Sequence, residues 1–167
     1  KLKDIVGQQH LIGENQIIYN LIKNKKIFSM IFYGRPGTGK TTLARVIAKE
    51  IDKKSIFLNA VMNNKSDFEN AINEARLEGD AVRFLNATVN NKQDFDIVIA
   101  EAKMEGTLLL VVDEIHRMNK DKQDILLPYI ENGTIILIGL TTSNPYMKVN
   151  PAIRSRVHIF ELKELSV

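Results

Sequence analysis

The chain of 167 residues contains no cysteine. Disulfide frameworks and thiolate metal sites are therefore closed to it, and the absence suits a reducing compartment. No apolar run approaches the roughly 20 residues that a membrane-spanning helix requires, and no signal sequence precedes Lys1, so the expectation is a soluble cytoplasmic chain. Neither sign of charge dominates: 23 Lys and Arg stand against 20 Asp and Glu, interspersed, for a net charge of +3. That balance permits contact with nucleic acid or nucleotide phosphate without demanding it. What the chain does have is apolar content, 44% of its residues, enough at this length for the core of one domain. With no initiating Met and no helical cap at Val167, it reads as an excised domain.

Short apolar runs at 30–33, 56–58, 84–85, 108–112, 135–138 and 157–160 alternate with segments of helical period. This alternation predicts βα units on a parallel sheet with helices on both faces. The helices are expected over 14–25, 40–51, 67–77, 94–104 and 120–131. One element is stated twice. FLNAVMNNKSDF begins at Phe57 and FLNATVNNKQDF at Phe84, and segments 57–79 and 84–106 agree at 14 of 23 positions at a constant offset of 27. The copies place Phe68, Ala71, Ile72 and Ala75, and again Phe95, Val98, Ile99 and Ala102, on one helical face. Ser66 with Glu69 reads as a capping box. Each copy thus reads as a complete strand-turn-helix unit.

The chemistry is carried by three segments. Gly34-Arg35-Pro36-Gly37-Thr38-Gly39-Lys40-Thr41 satisfies G-x-x-x-x-G-K-[ST] between an apolar strand and a helix. Glycines there let backbone N–H groups turn inward around phosphates, and the helix N-terminus adds partial positive charge. Lys40 is expected to reach the β- and γ-phosphates and the Thr41 hydroxyl to ligate Mg²⁺. Thr42 belongs to the same first turn, where packing is its simpler role. The run 108–112 ends in Asp113 and Glu114. Two carboxylates at the end of a buried strand are costly to desolvate unless a metal or water receives them. Asp113 is expected to hold Mg²⁺ through water and Glu114 to act as general base; the plainer alternative is a pair of solvent-facing strand-end charges. The strand from 135 ends in Thr141 and Thr142. Ligand crevices lie beyond the carboxyl ends of parallel strands, so Thr142 either touches the attacking water or γ-phosphate or simply reflects the preference of threonine for strands. His116 and Arg117 read as loop residues.

Taken together, GRPGTGKTT, LLLVVDEIHR, IILIGLTTSNP and NPAIRSR resemble the Walker A, Walker B, sensor-1 and arginine-finger segments of an AAA+ ATPase. With DIVGQQHLIG and FLNAT added, the chain is similar to the replication-associated recombination protein A and Werner-helicase-interacting ATPase family. The resemblance implies a three-layer P-loop core that binds Mg·ATP, with ATP and ADP as ligands, and hydrolyses it when assembled as a homo-oligomer. It implies Ile5 and Val6 as adenine contacts, Thr142 as sensor 1 and Arg156 as the finger acting on a neighbour. It also implies replication-fork maintenance, recombination and repair, with DNA and replication proteins as partners and no membrane. A clamp-loader or branch-migration motor subunit is the alternative within ATPases. A nucleotide-binding or engineered fold module without appreciable turnover is the alternative outside them.

Two departures from the family pattern shape the expectation. Residues 1–167 cover the core without the helical lid that family members carry, so the isolated core is expected to be weakly active and monomeric. The family has one FLNA unit where this chain has two. The expected sheet order is 5-1-4-3-2, extended at its edge by the duplicated unit, with the second copy beside the Walker B strand and the first copy outside it; the competing reading is one slot contested by two near-identical units, with the displaced copy looped out.

Overall fold

The computed structural model describes residues 7–13, 16–24, 27–51, 54–87 and 108–163, with side chains over 65–87 described as far as Arg76. Its elements in chain order are α1 (Gln9–Ile12), α2 (Ile17–Lys23), β1 (Met30–Tyr33), α3 (Lys40–Glu50), β2 (Lys54–Asn59) and α4 (Lys65–Ala87). There follow β3 (Leu108–Asp113), a 3-10 turn (Ile115–Arg117), α5 (Lys120–Glu131), β4 (Ile135–Thr141), α6 (Pro145–Lys148), α7 (Pro151–Arg154) and β5 (His158–Glu161).

Among the described residues the strands form one sheet in the order β2-β3-β4-β1-β5, every pair parallel. This is the expected 5-1-4-3-2 order read from the other edge. The period-2 alternation of side chains divides the apolar residues between two cores. Leu108, Leu110 and Val112 of β3 and Leu137 of β4 meet Phe68, Ala71 and Ala75 of α4 and Leu126 of α5 on one face. Leu109 and Val111, with Met30 and Phe32 of β1, meet Leu43, Ala44 and Ile47 of α3 on the other. A sheet covered on both faces has apolar central strands throughout, and β3 and β4 are buried along almost their whole length.

The first copy of the repeat behaves as expected in its helix: Phe68, Ala71, Ile72 and Ala75 are all buried. Its cap does not. Ser66 lies inside α4, and the reciprocal pair is Asn64 with Asp67: the Asp67 amide donates to Asn64 Oδ1 at 3.0 Å and the Asn64 amide to Asp67 Oδ2 at 3.0 Å. Asn64 wins because its side chain is among the best N-cap acceptors and Asp67, three residues on, returns the bond.

The placement of the duplicated unit is overturned. β2, from the first copy, pairs directly with β3 from Lys54↔Leu108 to Asn59↔Asp113, so it fills the slot expected for the second copy. Phe84 and Leu85, expected to be a strand, belong to α4, which runs unbroken to Ala87. The stretch from Ala75 to Ala87 contains Ala, Leu, Glu and Arg, all strong helix formers, and Gly79 opposes them most, at about 1 kcal/mol, with Asp80, Val82, Phe84 and Asn86 less costly. With the place beside β3 taken, helix satisfies those backbone groups within the segment itself. The rest of the second copy, including the expected helix over 94–104, lies outside the described residues.

Candidate functional site

At the end of β1 the chain turns through a loop whose torsions only some residues tolerate. Gly37 and Gly39 have φ of +81° and +90°, in the left-handed region that costs an L side chain about 1–2 kcal/mol. Gly34 is needed for another reason: a Cβ there would lie 2.5 Å from the backbone oxygen of Leu162, where the chain leaves β5. Thr38 closes the loop on itself, its amide and hydroxyl both donating to Arg35 O at 3.3 and 2.9 Å. Lys40 folds back into that ring. Its ammonium donates to Gly34 O at 2.7 Å and Arg35 O at 3.0 Å. Burial pushes the Lys40 pKa below the ordinary lysine value, with Asp113 pulling the other way. α3 begins at Lys40 with Gly39 as its N-cap, and no side chain caps it, the arrangement in which a helix start receives an anion.

Facing this loop is the carboxyl end of β3. The Asp113 carboxylate accepts the Glu114 amide at 2.8 Å, and Asp113 O accepts the Ala60 amide at 2.9 Å, locking the ends of β2 and β3 together. Glu114 takes φ 52° and ψ 44°, a left-handed conformation at a residue that is not glycine. A cleft of about 370 Å³ is lined by Pro36, Gly37, Gly39, Lys40, Thr41, Thr42, Asp113, Glu114 and Thr142. Residues from β1–α3, β3 and β4 therefore meet in one place.

The remaining expected residues lie elsewhere. Gly34 lines a neighbouring cleft of about 430 Å³ with Tyr33, Arg35, Asn144 and Glu161, and Thr142 borders both. Thr38 is buried and acts within the loop. Arg156 is exposed after α7 and outside the cleft, ion-paired with Glu131 and donating to Ala152 O and Ser155 Oγ at 2.8 and 2.7 Å. Ile5 and Val6 lie outside the described residues. Of the two threonines ending β4, Thr141 is buried and already bonded, whereas Thr142 is exposed to the cleft.

Three contributors were missed in the sequence. Gln8, itself at φ 59°, donates from Nε2 to Thr38 O at 3.0 Å and Lys163 O at 2.6 Å and accepts the Lys163 amide at 2.9 Å. It bolts the phosphate loop to the chain leaving β5. Lys122 buries its ammonium against Ala60 O and Asn63 O at 2.8 and 2.6 Å, tying α5 to the loop after β2. The signal for Lys122 was available, since Lys122, Leu126 and Ile130 recur on the buried face at helical spacing. His116 bonds Thr141 at 2.7 Å; strand alternation alone turns Thr141 inward with Ile135 and Leu137.

A glycine loop joining a parallel strand to a helix, its lysine inside and an acidic strand end opposite, defines a P-loop nucleotide-binding core. Residues 30–165 match the model of the ATPase family associated with various cellular activities (AAA), and the chain belongs to that family of nucleotide-binding ATPases. Replication-associated recombination protein A of Bacillus subtilis (strain 168) is 49% identical over 166 residues, covering 99% of this chain and 33% of that protein. ATPase WRNIP1 of Dictyostelium discoideum is 36% identical over 166 residues, covering 99% of this chain and 16% of that one. The chain thus spans about a third or less of the length of these relatives. Among solved structures, the Thermotoga maritima RuvB Holliday junction branch migration motor aligns with a TM-score of 0.64 at 23% identity, over 97% of this chain and 47% of that chain, a likeness of fold. No helix among the described residues is long and apolar enough to cross a membrane.

Proposed function

We propose that the chain is the ATP-hydrolysing core of a recombination ATPase that works on DNA with replication proteins, as an assembly of like chains. The observation that supports this most is the meeting of Lys40, Thr41, Asp113, Glu114 and Thr142, from three separate elements, around one cleft. On binding, Lys40 exchanges its loop carbonyls for the β- and γ-phosphate oxygens, and the amides of the loop and of the first turn of α3 cradle the chain of phosphates. Of the hydroxyls and carboxylates lining the cleft, Thr41 and Asp113 are the two we assign to a hard cation, Asp113 through water. No group of three or more His, Asp or Glu side chains clusters among the described residues. The donor set fits Mg²⁺, which is ordinarily held by one or two carboxylates together with phosphate and water. Bound there, the ion would neutralise charge on the β- and γ-oxygens.

Glu114 takes the proton of the attacking water as that oxygen bonds to the γ-phosphorus and the bond to ADP breaks, giving ADP and phosphate. Thr142 orients the water or a γ-oxygen. Arg156, exposed and outside its own cleft, serves the site of a neighbouring copy. The name of the 49% identical relative, replication-associated recombination protein A, supports DNA as the partner. The test is a pair of variants. Lys40→Ala should lose ATP binding in calorimetry, whereas Glu114→Gln should bind and fail to turn over; unchanged affinity in the Lys40 variant would show the loop assignment to be wrong.

A further inference from the structure

Glu114 sits in a backbone conformation that costs a non-glycine residue on the order of 1–3 kcal/mol and persists only where its surroundings hold it. Two points of docking hold the 3-10 turn that follows it against β4. Ile115 is buried over Gly139: a Cβ at Gly139 would lie 2.8 Å from Ile115 Cδ1. One residue on, His116 Nδ1 lies 2.7 Å from Thr141 Oγ1. The Thr141 hydroxyl is buried and accepts the Ser143 amide at 3.0 Å. The hydroxyl keeps a second lone pair and its proton, so the bond to Nδ1 forms with either partner as donor, according to the imidazole tautomer. The bond therefore joins the turn after Glu114 to the end of the strand that carries Thr142.

We infer that His116 and Thr141 are a positioning pair that fixes the Glu114 carboxylate relative to the Thr142 hydroxyl. Neither side chain lines the cleft, so neither touches nucleotide. Their contribution is orientation. A bound ATP is gripped chiefly by the phosphate loop, which meets Thr141 through its backbone oxygen, bonded to the Gly34 amide at 3.2 Å, a bond that side-chain substitution leaves in place, whereas the attack of water needs Glu114 and Thr142 in register. Removing the bond should therefore act on turnover and leave affinity alone. The inference rests on the reading of Glu114 and Thr142 as hydrolysis residues.

The experiment measures ATP affinity and kcat in the full chain for His116→Ala, Thr141→Val and Thr141→Ser, and for the double variant His116→Ala/Thr141→Val. Expected are ATP affinities within about twofold of the parent and kcat lowered about 10- to 100-fold in both hydroxyl- and imidazole-deleting variants, the size that small misplacements of reacting groups produce. The double variant should be no slower than the worse single one, because one bond is removed either way. Thr141→Ser, which keeps the hydroxyl, should recover turnover. Should Thr141→Val fail to fold, His116→Ala and Thr141→Ser carry the test. Unchanged kcat in His116→Ala overturns the pairing, as does a parallel loss of affinity and turnover, which would mark a merely structural contact. The underlying reading fails separately, through retained turnover in Glu114→Gln.

Discussion

Replacing Gly34 by alanine separates two reasons for which a phosphate loop contains glycine. The added Cβ would stand 2.5 Å from Leu162 O and 3.1 Å from Thr38 Oγ1, and ordinary contact begins at 3.4 Å. Either the loop or the chain leaving β5 must retreat by close to 0.9 Å. Both are held by backbone bonds at this point, Gly34 N to Thr141 O at 3.2 Å and Leu162 N to Tyr33 O at 2.7 Å. Overpacking against backbone costs about 1–3 kcal/mol, and each of the two backbone bonds weakened adds about 0.5–1.5 kcal/mol, so the expected loss is roughly 2–6 kcal/mol. Gly37→Ala is the control. Nothing lies within 4 Å of its Cβ position, and its cost is torsional, about 1–2 kcal/mol at φ +81°. Urea unfolding of the nucleotide-free chain, followed by circular dichroism, compares the two midpoints. A Gly34→Ala chain as stable as Gly37→Ala would refute the steric argument.

Three further outcomes are expected. Mixing Arg156→Ala with Glu114→Gln should restore ATP turnover in a co-assembled sample, since only across an interface can an intact finger meet an intact base; a finger of this kind is worth about 10³ to 10⁵ in rate, and no recovery in a mixture shown to co-assemble would exclude action in trans. Because the Lys40 pKa is lowered by burial, raising the pH towards the ordinary value of 10.5 should discharge this ammonium first and weaken ATP binding; binding in that range should take up a proton, seen as calorimetric heats that vary with buffer ionisation enthalpy. Asn64→Ala removes the cap of α4, and a loss of about 0.5–2 kcal/mol is expected in thermal or urea melts, whereas Ser66→Ala should fall within the ordinary range of surface changes.

Several features were legible because they are local. The phosphate loop needs its glycines and lysine at fixed spacing along one stretch of chain, and the acidic pair must follow directly on a buried strand. The runs at 30–33, 108–112 and 135–138 became β1, β3 and β4, and α5 occupies the expected 120–131. Contiguity carries such patterns, since backbone torsion and helical period are properties of neighbouring residues. The resemblance supplied the strand order.

The tertiary structure decided what two near-identical segments could not. Phe57 and Phe84 begin the same four residues, yet one FLNA run ends β2 and the other lies in α4. The difference comes from what each can pair with: β3 offers one free edge, and the first copy takes it. Likewise the Thr141-Thr142 dipeptide contains two equal hydroxyls until β4 is seated between β3 and β1, when alternation buries one against His116 and turns the other to the cleft. Gln8 meets Thr38 and Lys163 only because the sheet brings the phosphate loop beside the exit of β5. Sequence by itself determined which chemical groups this protein carries and the local backbone that presents them; which groups meet was decided by packing, because a contact between distant residues exists only once the sheet has fixed the space between them.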